Sequence, residues 1–389
     1  MMMLRNKAMI LAVFAGLMLS TSMMAQKQIP LEDFFKNPEK TYFQISPDGK
    51  YFSYTAPYES RMNIFVQKIG SKKATRLTSE TDRSISGYFW ANKDRILYLK
   101  DNGGDENFAL YGVDKNGKNL KCLTCFENVR TQILDELQDI PDEVIIGLNK
   151  RNPQVFDPYR LNIVTGEMTM LAENPGNIQG WMTDHDGKLR AAFAIVDGVN
   201  VQIQYRDNED EEFRPVLTTS FKESVEPAFF DFENKNVYAT SNLGRDKSAV
   251  VLFDIANGKE IEVLYENDEY DVSSVNYSRK RKVVTAASYT SWKRERHFFD
   301  PVTKQLFERI NKDLGEYEIA ITGYNDDEDM FIIRTYSDRS LGSYYLYDQE
   351  KDVMEKIHDV SPWIDEDEMA KVYPIKYNAR DGLLIHGYL

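Results

Sequence analysis

Apolar residues in this chain recur on a period of two over short runs, separated by clusters of Asp, Asn, Gly and Lys. That is the mark of half-buried strands joined by tight turns. One turn recurs with its flanking strands. It reads ISPDGKYFSYT from Ile45, FWANKDRILYL from Phe89, LQDIPDEVIIGL from Leu137 and MTDHDGKLRAAF from Met182. It continues as FDFENKNVYAT from Phe230, VNYSRKRKVVTAA from Val275 and TGYNDDEDMFII from Thr322. With Asp48, Asp94, Asp142, Asp186, Asn234, Lys280 and Asp327 as markers, the steps are 46, 48, 44, 48, 46 and 47 residues. A second strand–turn–strand follows in every unit, from NIFVQKIGSKKATRLT at Asn63 to HFFDPVTKQLFERI at His297 and YYLYDQEKDVMEKI at Tyr344.

Seven units of four short strands predict an all-β, seven-bladed β-propeller of four-stranded blades. One blade cannot bury both faces of its sheet, whereas a closed ring of seven buries all of them. Helical periodicity is nearly absent, apart from a short helix expected in LEDFFKNPEK near Leu31. No Gly-His…Trp-Asp signature marks the blades as WD40 repeats. The predicted organisation is a signal peptide at 1–25, an N-terminal segment at 26–41 and the propeller at 42–360. A Pro-containing acidic linker follows at 361–370, then a β-hairpin at 371–389.

The first residues change the picture of where the protein works. MMMLRNK is a basic n-region, AMILAVFAGLMLSTSMM is an apolar h-region, and Ala25-Gln26 offers a cleavage point. This predicts export to the periplasm or medium, with an uncleaved anchor as the alternative. The formal charge of −14 makes nucleic acid and anionic membranes poor partners. The two cysteines, Cys122 and Cys125, stand as KCLTC. A reduced pair, a local disulfide and a redox or metal role all remain open, although one C-x-x-C cannot complete a four-ligand zinc site.

Chemistry-bearing motifs are sparse. The chain has no G-x-S-x-G elbow, H-E-x-x-H, Walker loop or G-x-G-x-x-G. His185, His297, His358 and His386 are scattered, and His185 reads as a turn residue in DHDG. The acidic runs YNDDEDM at Tyr324 and DNEDEEF at Asp207 lack EF-hand spacing and read as solvated hairpin turns. DNGGDEN at Asp101 reads as a flexible loop between the second and third strands of blade two. SYTSWKRERHFF from Ser288 brings Lys293, Arg294 and Arg296 among aromatics. It reads as a blade loop or as a holder of a carboxylate or peptide terminus. Catalytic, cofactor-binding and metal residues are expected to be none within the chain.

The closing stretch YPIKYNARDGLLIHGYL, with Ala379-Arg380-Asp381-Gly382, Ile385 and Gly387-Tyr388-Leu389, resembles the start of the catalytic domain in S9, or prolyl oligopeptidase, family serine peptidases. The secreted bacterial dipeptidyl and acylaminoacyl peptidases are the most similar branch, and ISPDGKYFSY at Ile45 looks like that family's first blade. The resemblance implies that the hairpin opens a truncated α/β-hydrolase domain, with the Ser–His–Asp triad expected beyond Leu389. It implies a propeller that gates oligopeptides onto a catalytic domain of the same protein, with this part alone inactive. The alternative is a non-enzymatic, TolB-like periplasmic binding scaffold.

Overall fold

The computed structural model describes residues 28–389, so the signal-peptide reading of 1–25 lies outside the described residues. Seven antiparallel sheets, each with its strands in sequence order, make up the blades. They span residues 41–76, 87–122, 131–170, 178–219, 225–265, 272–298 and 318–359. Helix α1 (Leu31–Phe35) precedes the first blade, and an eighth, two-stranded sheet of Pro374–Asn378 and Leu384–Tyr388 follows the last. No helix among the described residues is long and apolar enough to cross a membrane.

Burial explains the strand sequences. A second strand such as Glu143–Leu148 (EVIIGL) is covered on both faces by neighbouring blades and is apolar almost throughout. An outer strand such as Lys259–Tyr265 (KEIEVLY) is mostly exposed and mixed. In six of the seven blades the pairing of the first strand with the second carries a register shift. Such bulges add twist, which lets the innermost strand turn along the propeller axis.

Apolar clusters fill the seams between neighbouring blades. Ile64 and Val66 of blade one pack with Tyr88, Trp90 and Ile96 of blade two. Ala191, Ile203 and Tyr205 of blade four pack with Val237, Val251 and Phe253 of blade five. The ring closes without a shared sheet, because blades one and seven are separate sheets among the described residues. Closure instead uses Phe43, Phe52 and Tyr54 packed with Ile332, Tyr344 and Leu346. The Phe43 and Tyr344 ring centroids are 4.8 Å apart, and the Asp326 amide donates to the Pro47 carbonyl at 2.9 Å.

Blade six departs from the expected four strands. It has three, and HFFDPVTKQLFERI, read from the sequence as strand–turn–strand, runs from a strand into helix α2 (Pro301–Leu314). Local chemistry explains the change. Asp300 accepts at 2.8 Å from the Thr303 amide, and Pro301 fills the first helical position, where a missing N–H costs nothing. Ile310 and Leu314 are buried against Ile333 and Tyr347 of blade seven. Cys122 and Cys125 are joined as a disulfide at the edge of blade two, which settles the pairing left open by the sequence.

Candidate functional site

The recurrent turns between first and second strands all lie on one end of the propeller, around the mouth of the axial channel. The loop holding DNGGDEN and the terminal hairpin lie toward the other end. There Tyr388 donates its hydroxyl to the Trp292 carbonyl at 2.9 Å, and Asp338 accepts from the Val372 amide at 2.7 Å. The hairpin turn is Ala379–Leu383, with Gly382 at φ +88° and the Ala379 amide donating to Leu383 O at 2.8 Å. Tyr373, Tyr377, Leu383, Leu384 and Tyr388 of this segment are exposed.

At the turn end the channel mouth has two lobes. The larger, about 1260 Å³, is framed by blades seven, one, two and three and includes Gln44, Asp48, Asn92, Glu136 and Thr322. Its wall carries seven carboxylates against four cationic side chains. The smaller, about 520 Å³, is framed by blades three, four and five and includes Asp135, Trp181, His185 and Phe229. Arg279 and Glu136 line both.

Arg279 divides the two lobes. Its Nη1 donates to Asp139 Oδ1 at 2.9 Å and its Nη2 to Asp326 Oδ1 at 2.6 Å. Asp326 belongs to the neighbouring blade seven. Asp139 belongs to blade three, which is not adjacent to blade six, so this ion pair reaches across the channel mouth. Burial works against the charge of Arg279. The hydrogen bond to Asp326 and the field of Asp139 more than offset it, and the guanidinium is held above its ordinary range. Burial pushes the Glu136 carboxyl up, and the adjacent Asp135 adds to the effect.

In the YNDDEDM turn Asp326 and Asp327 stay exposed while pairing with blade six, and only Glu328 is largely buried. The SRKRK turn of blade six faces this acidic run: Lys280 Nζ lies 3.3 Å from Asp327, and Arg281 Nε lies 3.7 Å from Glu328. Glu328 also accepts from Ser278 Oγ at 2.5 Å and from the Lys280 amide at 3.1 Å. The DNEDEEF run is likewise engaged, with Asp207 3.2 Å from Arg214 and Glu209 3.5 Å from Arg160. Among the described residues no group of three or more His, Cys, Asp or Glu is arranged to hold a metal ion.

The histidines stay apart. His185 ties blade four to blade five: its amide donates to Asn234 Oδ1 at 3.0 Å, and its Nε2 lies 2.8 Å from the Phe230 carbonyl. His297 stacks on Tyr265 at 4.1 Å, and His386 meets Tyr270 edge-on at 6.2 Å. His358 lies at the seam of blades seven and one, 6.4 Å from Phe43, its Nε2 buried without a hydrogen-bond partner. Sequence reasoning missed Arg279 and Asp139. The available signal was a basic turn followed one repeat later by an acidic one, which predicts the contact of blades six and seven but not the link to blade three.

No family model matches the chain. It is 29% identical over 370 residues to the dipeptidyl aminopeptidase BIII of Pseudoxanthomonas mexicana, covering 93% of this chain and 52% of that protein. It is 24% identical over 383 residues to the dipeptidyl peptidase family member 6 of Caenorhabditis elegans, covering 93% of this chain and 51% of the relative. The chain thus spans about half the length of the curated relatives it matches. Its fold matches a prolyl endopeptidase at TM-score 0.62 and 13% identity, over 91% of this chain and 54% of that one. Prolyl oligopeptidase B from Galerina marginata matches at TM-score 0.61 and 13% identity, over 92% and 56%. The fold is therefore that of the propeller of these solved prolyl peptidases.

Proposed function

We propose that this chain is the substrate-gating propeller portion of an exported serine peptidase that hydrolyses oligopeptides. The carrying observation is the match of 93% of the chain to only 52% of a dipeptidyl aminopeptidase. In this reading the hydrolytic groups lie in a separate α/β-hydrolase domain, and the propeller decides which substrates reach them. Folded proteins are excluded by size, whereas extended peptides enter through the polar channel mouth that Arg279, Asp139 and Asp326 span. The acidic wall of the larger lobe favours peptides that enter by a cationic amino terminus. Export rests on the basic and apolar pattern of residues 1–25. A non-enzymatic binding scaffold is the reading this one replaces.

The test is activity-based labelling. A fluorophosphonate probe, which reacts with activated serines, is expected to leave the 389-residue chain unlabelled, and dipeptidyl chromogenic substrates are expected to remain intact. A product of the whole gene that carries G-x-S-x-G is expected to label and to turn over oligopeptides. Turnover by the 389-residue chain itself, or a whole gene product without a nucleophile motif, overturns the reading.

A further inference from the structure

Replacing an outer strand by helix α2 opens a cleft of about 300 Å³ between blades six and seven. That volume is at the lower end for small-molecule sites. One wall is apolar and comes from the helix, with Val302, Leu306 and Phe307. The floor is cationic. Strand Arg294–Phe298 alternates its side chains, so Arg294, Arg296 and Phe298 share one face and Glu295 and His297 share the other. The first face meets the helix, with Phe298 and Phe307 ring centroids 5.5 Å apart and the Arg296 guanidinium 4.5 Å from the Phe307 ring. His297 on the second face stacks on Tyr265 of blade five.

Among the described residues no carboxylate forms a direct ion pair with Arg294 or Arg296, although the fields of Glu318 and Glu295 reach Arg296. Arg296 donates to a neutral carbonyl, Ile319 O, at 3.2 Å. Nearby Glu318 is taken by Lys293 at 3.0 Å. The one carboxylate in the lining, Glu328, is held by Ser278 and the Lys280 amide, with Arg281 nearby, and Arg281 itself pairs with Asp300 at 2.5 Å. Burial, followed by the like charge of Arg294, pulls Arg296 below its ordinary range. In a chain with net charge −14, two arginines on one strand face with no directly paired carboxylate, in a half-apolar cleft, suit an anion.

We propose that the cleft between blades six and seven is a binding site for a carboxylate borne on an apolar or aromatic group. Arg294 and Arg296 take the carboxylate, and the face of α2 takes the apolar group. The source is either the carboxyl terminus of a peptide or a free organic acid, since both present the same chemistry. The cleft borders the channel mouth, since Tyr324 lines both it and the larger lobe and Tyr277 lines both it and the smaller lobe.

Calorimetric titration with N-acetyl-phenylalanine and with its neutral amide tests the proposal. The acid is expected to bind in the millimolar range or better, and the amide at least about tenfold more weakly. Arg294→Gln removes an exposed side chain without partners, so the melting temperature is expected to stay while acid binding falls about tenfold. Arg296→Lys keeps the charge but loses the planar fork, and is expected to weaken the acid as well. A tetrapeptide ending in Phe, as free acid and as amide, separates the sources: tighter binding than the single residue assigns a peptide terminus, and equal binding a simple acid. Equal affinity for acid and amide, no binding at millimolar concentration, or an Arg294→Gln protein that binds normally overturns the proposal.

Discussion

The seam between blades four and five and the seam between blades six and seven solve the same packing problem in different ways. In the first, both blades have four strands, and Val237, Ala239, Val251, Phe253 and Ile255 are fully buried in one apolar cluster. Gly258 (φ +67°) at this seam lies where a Cβ would collide with the Val216 carbonyl, so even the turn is fitted against its neighbour. In the second, a helix takes the place of a strand and buries Ile310 and Leu314, but it leaves the cleft with its arginines beside them. A ring of blades therefore tolerates one loosely filled seam. The apolar seams each join neighbouring blades, with the Arg279–Asp139 pair across the mouth in addition, and the other seams hold the circle.

Three substitutions or conditions probe this contrast. The largest effect is expected at the dry seam. Phe253→Ala removes a ring with no exposed surface and should cost about 3–5 kcal/mol, read as a lower urea midpoint. A loss under about 1 kcal/mol would mean that the blade four–five seam is not tightly packed.

A middle-sized effect is expected at the open seam. Asp300 accepts from the Thr303 amide, the Thr303 hydroxyl and Arg281. Asp300→Ala should cost about 1–2 kcal/mol and speed amide exchange across 301–314, with little change in blade five. The same carboxylate predicts a pH response. Burial raises its pKa, but the bonds from Thr303 and Arg281 outweigh that and leave it below its ordinary value of 3.8. Its stabilisation is therefore complete above about pH 4 and lost as pH falls through the lower, folded value. The wild-type protein should show this acid loss, and Asp300→Ala should lack it.

The smallest effect is expected at a third seam, where blade seven meets blade one. Burial, helped by nearby Lys40, holds His358 below its ordinary pKa of 6.5. The folded protein then binds a proton there less readily than the unfolded chain. Stability from this residue is full above about pH 6.5 and declines as pH falls below it. His358→Asn should flatten the slope of melting temperature between about pH 7 and 5.5. An unchanged slope would remove His358 from the closure of the ring.

The predicted seven units correspond to the observed blades because each unit carries its own record: alternating strands and an Asp, Asn or Gly turn every 44 to 48 residues. Blade six was misread because HFFDPVTKQLFERI begins with a run of strand formers, and the repeat encouraged a fourth strand. Its helix signals were present but local: Asp300 before Pro301, then apolar residues at 302, 306, 310 and 314. The acidic run at Tyr324 lies on a hairpin turn as read, with Asp326 and Asp327 exposed, but its ion-pair partners Lys280 and Arg281 lie one repeat earlier and left no local trace.

The candidate sites divide along the same line. The sequence alone determined most of the strands, the turns and the number of blades, because these follow from neighbours within a few residues, whereas Arg294 and Arg296, read as part of a blade loop, share one face of a strand. Only the tertiary structure decided that Arg279 meets Asp139 across 140 positions, that blade seven closes onto blade one through Phe43 and Tyr344, and that a cleft opens beside α2. These depend on closing the ring, which brings together groups whose separation along the chain carries no periodic or compositional trace.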